Sequence, residues 1–205
     1  MSPLLPCSLT RLLAPSVRIA GGSAKGRKVI SRKAFACRSG EDELRPTSAK
    51  VKQAIFNILA AEVPGSRFLD LYAGTGAIGL EALSRGAERA VFVDRNVERI
   101  RLIRELAERF HFAEQAETVR AEAMAYLKQL STPFRIIFID PPYASAEIPQ
   151  ILLLAGVDSV LENRGIVVLE HSRRAAVPHH TALLSLKKQY TYGDTMLSLY
   201  RKEPS

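Results

Sequence analysis

From Arg67 onward the chain alternates short apolar runs with stretches of helical spacing. The runs at 68–71, 90–94, 118–121, 136–140 and 166–170 read as five strands, and the clearest intervening helix spans Val97–Phe110. Strands bounded by helices rather than tight turns cannot pair as hairpins. They predict an α/β fold, an open parallel sheet with helices on both faces. After Glu170 the rhythm changes. Segments 183–189 and 196–200 flank Tyr192-Gly193-Asp194 with no helix between them, which predicts an antiparallel hairpin at the end of the sheet.

The region before this alternation differs in both pattern and charge. Residues 17–30 read as a short strand, a Gly21-Gly22 turn and a second strand after Lys25-Gly26-Arg27-Lys28. Arg45-Pro46-Thr47-Ser48 then announces a helix start. Val51, Ala54, Ile55, Ile58 and Leu59 recur at helical spacing with Lys50 and Lys52 off the stripe, and Pro64-Gly65 closes the helix. Three parts are expected: a disordered tail at 1–16, a basic hairpin and helix at 17–63, and the main domain at 64–205.

Residues 1–63 hold 11 Lys or Arg against 4 Asp or Glu, whereas the other 142 residues hold 18 against 17, so the net charge of +8 is concentrated at one end. A local basic excess gathers phosphate and steers polyanions, which makes a nucleic acid a candidate partner beside the alternative of a solvated charged face. Cys7 and Cys37 lie far apart with no metal-ligand spacing and read as reduced thiols. No apolar run approaches the roughly 20 residues of a membrane span. The first 16 residues lack the continuous apolar core of a secretory signal, although an acid-poor, Arg-containing start also suits organelle targeting.

Two motifs carry chemistry. Asp70-Leu-Tyr72-Ala-Gly74-Thr-Gly76-Ala-Ile-Gly79 links the first strand to its helix, the position at which open α/β sheets bind ligands. Gly74 and Gly76 allow close approach to the main chain. Asp94, ending the second strand, is placed to accept from two ribose hydroxyls. The glycine spacing also satisfies the dinucleotide fingerprint. A diphosphate disfavours a carboxylate such as Asp70 beside the loop, whereas the ammonium of S-adenosylmethionine favours one, so S-adenosylmethionine fits better than NAD. Glu122-Ala123, after the third strand, offers an acid for an adenine amino group or a plain surface acid.

Asp140-Pro141-Pro142-Tyr143 ends the fourth strand and projects into the same crevice. An exocyclic amino group is a poor nucleophile because its lone pair is delocalised into the base. If Asp140 accepts one amino hydrogen and the Pro141 carbonyl the other, the nitrogen is favoured toward a tetrahedral shape with its lone pair aimed at a methyl donor. The prolines stiffen the turn, and Tyr143 offers a stacking face worth about 1–3 kcal/mol to an extruded base. A plain Asp-Pro-Pro turn is the bland alternative. The four histidines, at 111, 171, 179 and 180, show no catalytic arrangement and read as surface or packing residues.

Taken together, Val17-Arg-Ile-Ala-Gly-Gly, Gly26-Arg27-Lys28, Leu44-Arg-Pro-Thr47, Phe56-Asn57-Ile58-Leu59, the loop from Phe68 to Leu83, Asp140-Pro-Pro-Tyr143 and Tyr192-Gly-Asp194 resemble the bacterial RsmD family, which methylates guanine N2 in small-subunit (16S) ribosomal RNA. The resemblance implies a Rossmann-like, seven-stranded class I S-adenosylmethionine methyltransferase sheet with its last strand antiparallel and a small N-terminal hairpin and helix. It implies a cytoplasmic enzyme without a metal, acting on assembling small ribosomal subunits. Carried over by position, Arg45, Thr47, Asp70, Tyr72, Gly74, Gly76, Asp94, Glu122 and Ala123 hold the cofactor, Asp140, Pro141, Pro142 and Tyr143 the target amino group, and Lys25, Arg27 and Lys28 the RNA. Glu122-Ala123 departs from the Asp-Ala common in relatives. The alternatives are a DNA or other RNA amino-methyltransferase acting on adenine N6 or cytosine N4, an NAD-binding oxidoreductase, and a non-catalytic RNA-binding module.

Overall fold

The computed structural model describes residues 16–30, 48–142 and 146–203. Strands β1 (Ser16–Arg18) and β2 (Lys28–Ile30) form a two-stranded antiparallel ladder, followed by α1 (Ala49–Ile58). The alternating part follows as β3 (Arg67–Leu71), α2 (Ala77–Ser84), β4 (Arg89–Asp94), α3 (Val97–Phe110), β5 (Ala116–Arg120), α4 (Ala123–Lys128), β6 (Phe134–Ile139), α5 (Ile148–Ala155) and β7 (Leu161–Ser172). It closes with β8 (Leu184–Tyr192) and β9 (Thr195–Lys202).

The seven-stranded sheet has the order β5-β4-β3-β6-β7-β9-β8. The first five are mutually parallel, and β9 runs antiparallel between β7 and β8. Strand order reverses between β3 and β6, so the crevice for a ligand lies outside the carboxyl ends of those two strands.

Each face of the sheet buries its own apolar cluster. On one face Phe68, Phe92, Ile136, Phe138, Ile166 and Val168 pack with residues of α1, α2 and α3 and with Val17, Ile19 and Ala24 of the hairpin. On the other, Leu69, Leu71, Ile137, Ile139, Val167 and Leu169 pack with α4 and α5. The hairpin and α1 therefore share a core with the sheet.

A buried ion network ties these parts together. Glu81 in α2 is fully buried; its Oε2 lies 3.1 Å from Lys52 Nζ and accepts from the Ala20 amide at 2.8 Å, while Oε1 accepts from Arg85 at 2.8 Å. Lys52 also donates to the Arg18 carbonyl. Lys52 lies off the apolar stripe in sequence, yet it is buried rather than solvated because Glu81 and Arg18 satisfy its charge. Burial alone would raise the Glu81 carboxyl, but the Ala20 amide, Arg85 and Lys52 outweigh it and hold the group below its ordinary range. Glu62, just beyond α1, bridges to Arg135 of β6 and Arg201 of β9 at 2.5 and 2.7 Å.

Two boundaries differ from the sequence pattern. Helix α1 ends at Ile58, where Leu59 caps it, rather than running to Pro64. Strand β7 begins at Leu161, five residues before the apolar run, and passes through an irregularity at Arg164, whose φ is 60°. Polar Glu162, Asn163 and Arg164 conceal that segment from an apolar count. No helix among the described residues is long and apolar enough to cross a membrane.

Candidate active site

Strand pleating brings the acidic residues together. Asp70 pairs with Phe92 on β4 and with Phe138 on β6. Residues two steps further along share the same face, so Asp94 and Asp140 flank the chain where it leaves β3. All three carboxylates lie on the face that carries Phe68, Phe92 and Phe138.

The loop between β3 and α2 is held by these acids. Asp94 Oδ2 accepts from the Gly74 amide and Oδ1 from the Asn96 amide, both at 2.9 Å, and Arg99 lies 3.5 Å from Oδ2. Asp70 Oδ2 accepts from the Gly79 amide at 2.9 Å and so supplies the cap that Gly76, at the helix start, cannot. Burial pushes the Asp70 carboxyl well above its ordinary value; the Gly79 amide opposes this, and the charges of Asp140 and Asp94 add to it.

Gly74 and Gly76 have φ of 55° and 71°, in the left-handed region that glycine enters without steric cost. Gly79 serves packing instead: a Cβ there would stand 2.2 Å from the Phe92 ring. Tyr72 adopts φ 59° without being glycine, a cost of about 1 kcal/mol or more, and donates its hydroxyl to Glu147 Oε2 at 3.2 Å. Burial, followed by the Glu147 charge, raises that phenol.

Glu122 is exposed at the start of α4 and makes no capping bond, while Ala123 is buried beneath it. The Ala121 amide donates to the Asp94 carbonyl at 3.2 Å, which puts this corner beside Asp94. Asp140 donates its amide to the Leu71 carbonyl at 3.4 Å, so the start of the tetrapeptide sits against the loop; Pro141 is buried and Pro142 exposed. Burial lifts the Asp140 carboxyl to about 7. Tyr143, Arg45 and Thr47 lie outside the described residues.

The basic hairpin sits elsewhere. Ser23 donates to the Ser84 carbonyl at 2.7 Å, and Arg27 reaches the Phe110 carbonyl at 3.5 Å. These are the carboxyl ends of α2 and α3, at the amino end of the strands, since the Gly65 amide bonds to Gly86 there at 2.7 Å. Lys25 and Arg27 therefore occupy the end of the sheet opposite Asp140, with Lys28 exposed on β2.

Two features escape a reading of the sequence. Glu170 ends the run Ile166-x-Val168-x-Glu170 as Asp140 ends Ile136-x-Phe138-x-Asp140, and that matching parity was the available signal. Burial and then the Asp140 charge lift its carboxyl to about 8. The second is a groove of about 720 Å³ between α1 and β8, lined by Lys50, Gln53, Asn57, Tyr190 and Tyr192 among others. It has no sequence signature because its walls come from opposite ends of the chain. Of the histidines, His171 is buried, with its nitrogens 2.9 Å from the Ser172 carbonyl and 2.8 Å from the Ser198 hydroxyl, a packing residue as expected.

This sheet order, with a glycine loop after the first parallel strand and acids ending the next strands, defines the S-adenosylmethionine methyltransferase fold. Solved structures agree: the chain superimposes on "Putative methyltransferase yhhF from Escherichia coli" with a TM-score of 0.80 at 27% identity, covering 93% of this chain and 100% of that one. Residues 17–201 match the family model described as "Conserved hypothetical protein 95". The chain belongs to this family, the RsmD family of the sequence resemblance. It is 38% identical over 189 residues to the Bacillus subtilis (strain 168) protein named "Putative rRNA methyltransferase YlbH", covering 91% of this chain and 99% of the relative. It is 33% identical to "Ribosomal RNA small subunit methyltransferase D" of Escherichia coli (strain K12), covering 91% and 90%.

Proposed function

We propose that the chain transfers a methyl group from S-adenosylmethionine to the exocyclic N2 of a guanine in small-subunit ribosomal RNA. The observation that carries this reading is the set of Asp70, Asp94 and Asp140 around one glycine loop at the carboxyl edge of the sheet. Three carboxylates repel a diphosphate but suit a ligand bearing an ammonium and two ribose hydroxyls, so the donor set fits S-adenosylmethionine better than NAD.

Asp94, with each oxygen already on a backbone amide, keeps acceptor capacity for ribose hydroxyls. Asp70 holds the loop and helix start in place and puts negative charge beneath the ammonium. Gly74 and Gly76 let the ligand lie against the main chain. S-adenosylmethionine supplies an electrophilic sulfonium methyl. Asp140 accepts a hydrogen of the target amino group and orients its lone pair for in-line attack, and the proton released on methylation passes to water. The groove beside α1, with two tyrosines and Lys50, gives the adjoining strand a stacking and phosphate-binding surface. Lys25, Arg27 and Lys28 hold RNA at the far end of the sheet, so they serve affinity rather than chemistry. This reading places the enzyme in the cytoplasm on assembling small subunits.

Calorimetric titration tests the cofactor assignment. S-adenosylhomocysteine should bind and NADH should give no heat; the reverse pattern would contradict the reading.

A further inference from the structure

Glu170 stands out from every other buried group. It is 4 % exposed, and among the described residues its Oε2 is the one buried side-chain oxygen or nitrogen without a hydrogen-bond partner. An orphaned buried carboxylate oxygen is unfavourable for folding and calls for a reason in function.

Its position supplies that reason. Ile139 pairs with Leu169, so Asp140 follows beside Glu170 just past the end of β6, at roughly the 4.8 Å spacing of neighbouring strands, while β7 runs on to Ser172. Both follow the parity of Phe138 and Val168 and therefore share the cofactor face. The same row continues from Glu170 to Leu197 of β9 and Tyr190 of β8, which lines the groove. Glu170 thus lies between Asp140 and the surface by which a nucleotide strand would arrive.

We propose that Glu170 is a second carboxylate of the acceptor pocket, whose free Oε2 accepts the N1 hydrogen of guanine while Asp140 accepts a hydrogen of the neighbouring 2-amino group. The inference rests on the guanine-N2 reading above and says how the base is chosen. In guanine the ring nitrogen beside the reactive amino group carries a hydrogen; in adenine and cytosine the corresponding nitrogen presents a lone pair. A carboxylate oxygen facing that position pairs with the first and opposes the second. The raised carboxyls of Asp140 and Glu170 agree with this arrangement: the pair retains a proton near neutrality in the free protein, and a donor from the base favours the ionised acceptor.

The test uses small-subunit RNA carrying either guanine or 2-aminopurine at the methylated position. 2-Aminopurine keeps the 2-amino group but has a lone pair at N1. Wild-type enzyme should prefer guanine in kcat/KM by about tenfold or more, and Glu170→Gln, whose carboxamide can donate to N1, should shrink that preference by about tenfold. Glu170→Asp should keep it at reduced kcat/KM. The ratio is internal to each preparation and so does not depend on the folded fraction. An unchanged ratio in Glu170→Gln overturns the role of Glu170, whereas failure of the wild type to methylate guanine overturns the reading on which it rests.

Discussion

In the proposed reaction Asp140 accepts an amino hydrogen, and its ionised form does so far better than its protonated one. Its carboxyl is lifted to about 7 by burial, so the ionised fraction grows as pH rises through neutrality. We expect kcat/KM to climb from pH 6 to pH 8 and then level; a profile flat across that interval would remove Asp140 as acceptor. Asp140→Ala should lower kcat on the order of 10³-fold with S-adenosylhomocysteine affinity largely kept, as single-turnover kinetics and calorimetry would show. Asp94→Ala should instead weaken S-adenosylhomocysteine binding about 10- to 100-fold, because the proposed ribose acceptors and the Gly74 tether go together. At this scale the sequence was informative for residues closing a strand within a motif, such as Asp70, Asp94 and Asp140. For Glu170 it offered only a matching parity, since its neighbour is set by strand order, and it was silent on the capping duty of Asp70, which needs the helix start in place.

Among the elements, the hairpin and α1 are fastened to α2 through Glu81. Glu81→Gln would leave the buried Lys52 ammonium without its counter-charge, and we expect a loss of about 3 kcal/mol in urea unfolding. A loss within 0.5 kcal/mol, the range of ordinary surface substitutions, would show the network to be incidental. Because the hairpin turn lies at the amino end of the strands, neutralising Lys25, Arg27 and Lys28 together should weaken RNA binding and flatten its salt dependence while kcat at saturating RNA holds. Intact affinity and slope would exclude the hairpin as an RNA surface. The alternation of strands and helices was legible because period-two and period-3.6 apolar patterns differ, and α3 matched its sequence limits between an Asn96 cap and His111 in the left-handed region. The burial of Lys52 was not legible, because helical spacing reports the apolar stripe and not a charged partner on a neighbouring helix. The start of β7 was hidden by its polar residues.

Across the whole molecule, buried carboxylates set how stability depends on pH. Asp70, Asp140 and Glu170 all bind their protons more tightly in the folded chain than in the unfolded one. Folding therefore takes up protons, and their contribution is complete below their ordinary values and lost as pH rises through about 7 and 8. Glu62, lowered by hydrogen bonds from Arg201 and Arg135 that outweigh its burial, and Glu81 act in the opposite sense and lose their contribution as pH falls through their depressed values. The Tm of the ligand-free protein should decline from pH 6 to pH 9, and Glu170→Gln should flatten that decline; a Tm rising over the interval would contradict the burial of these acids. Methylation of guanine N2 in small-subunit ribosomal RNA is the proposed activity. It is tested most directly by mass-spectrometric mapping of that RNA from cells with the gene, without it, and with only the Asp140→Ala form. One N2-methylguanine should be present in the first and missing from the other two; an unchanged methylation map in all three would exclude the activity.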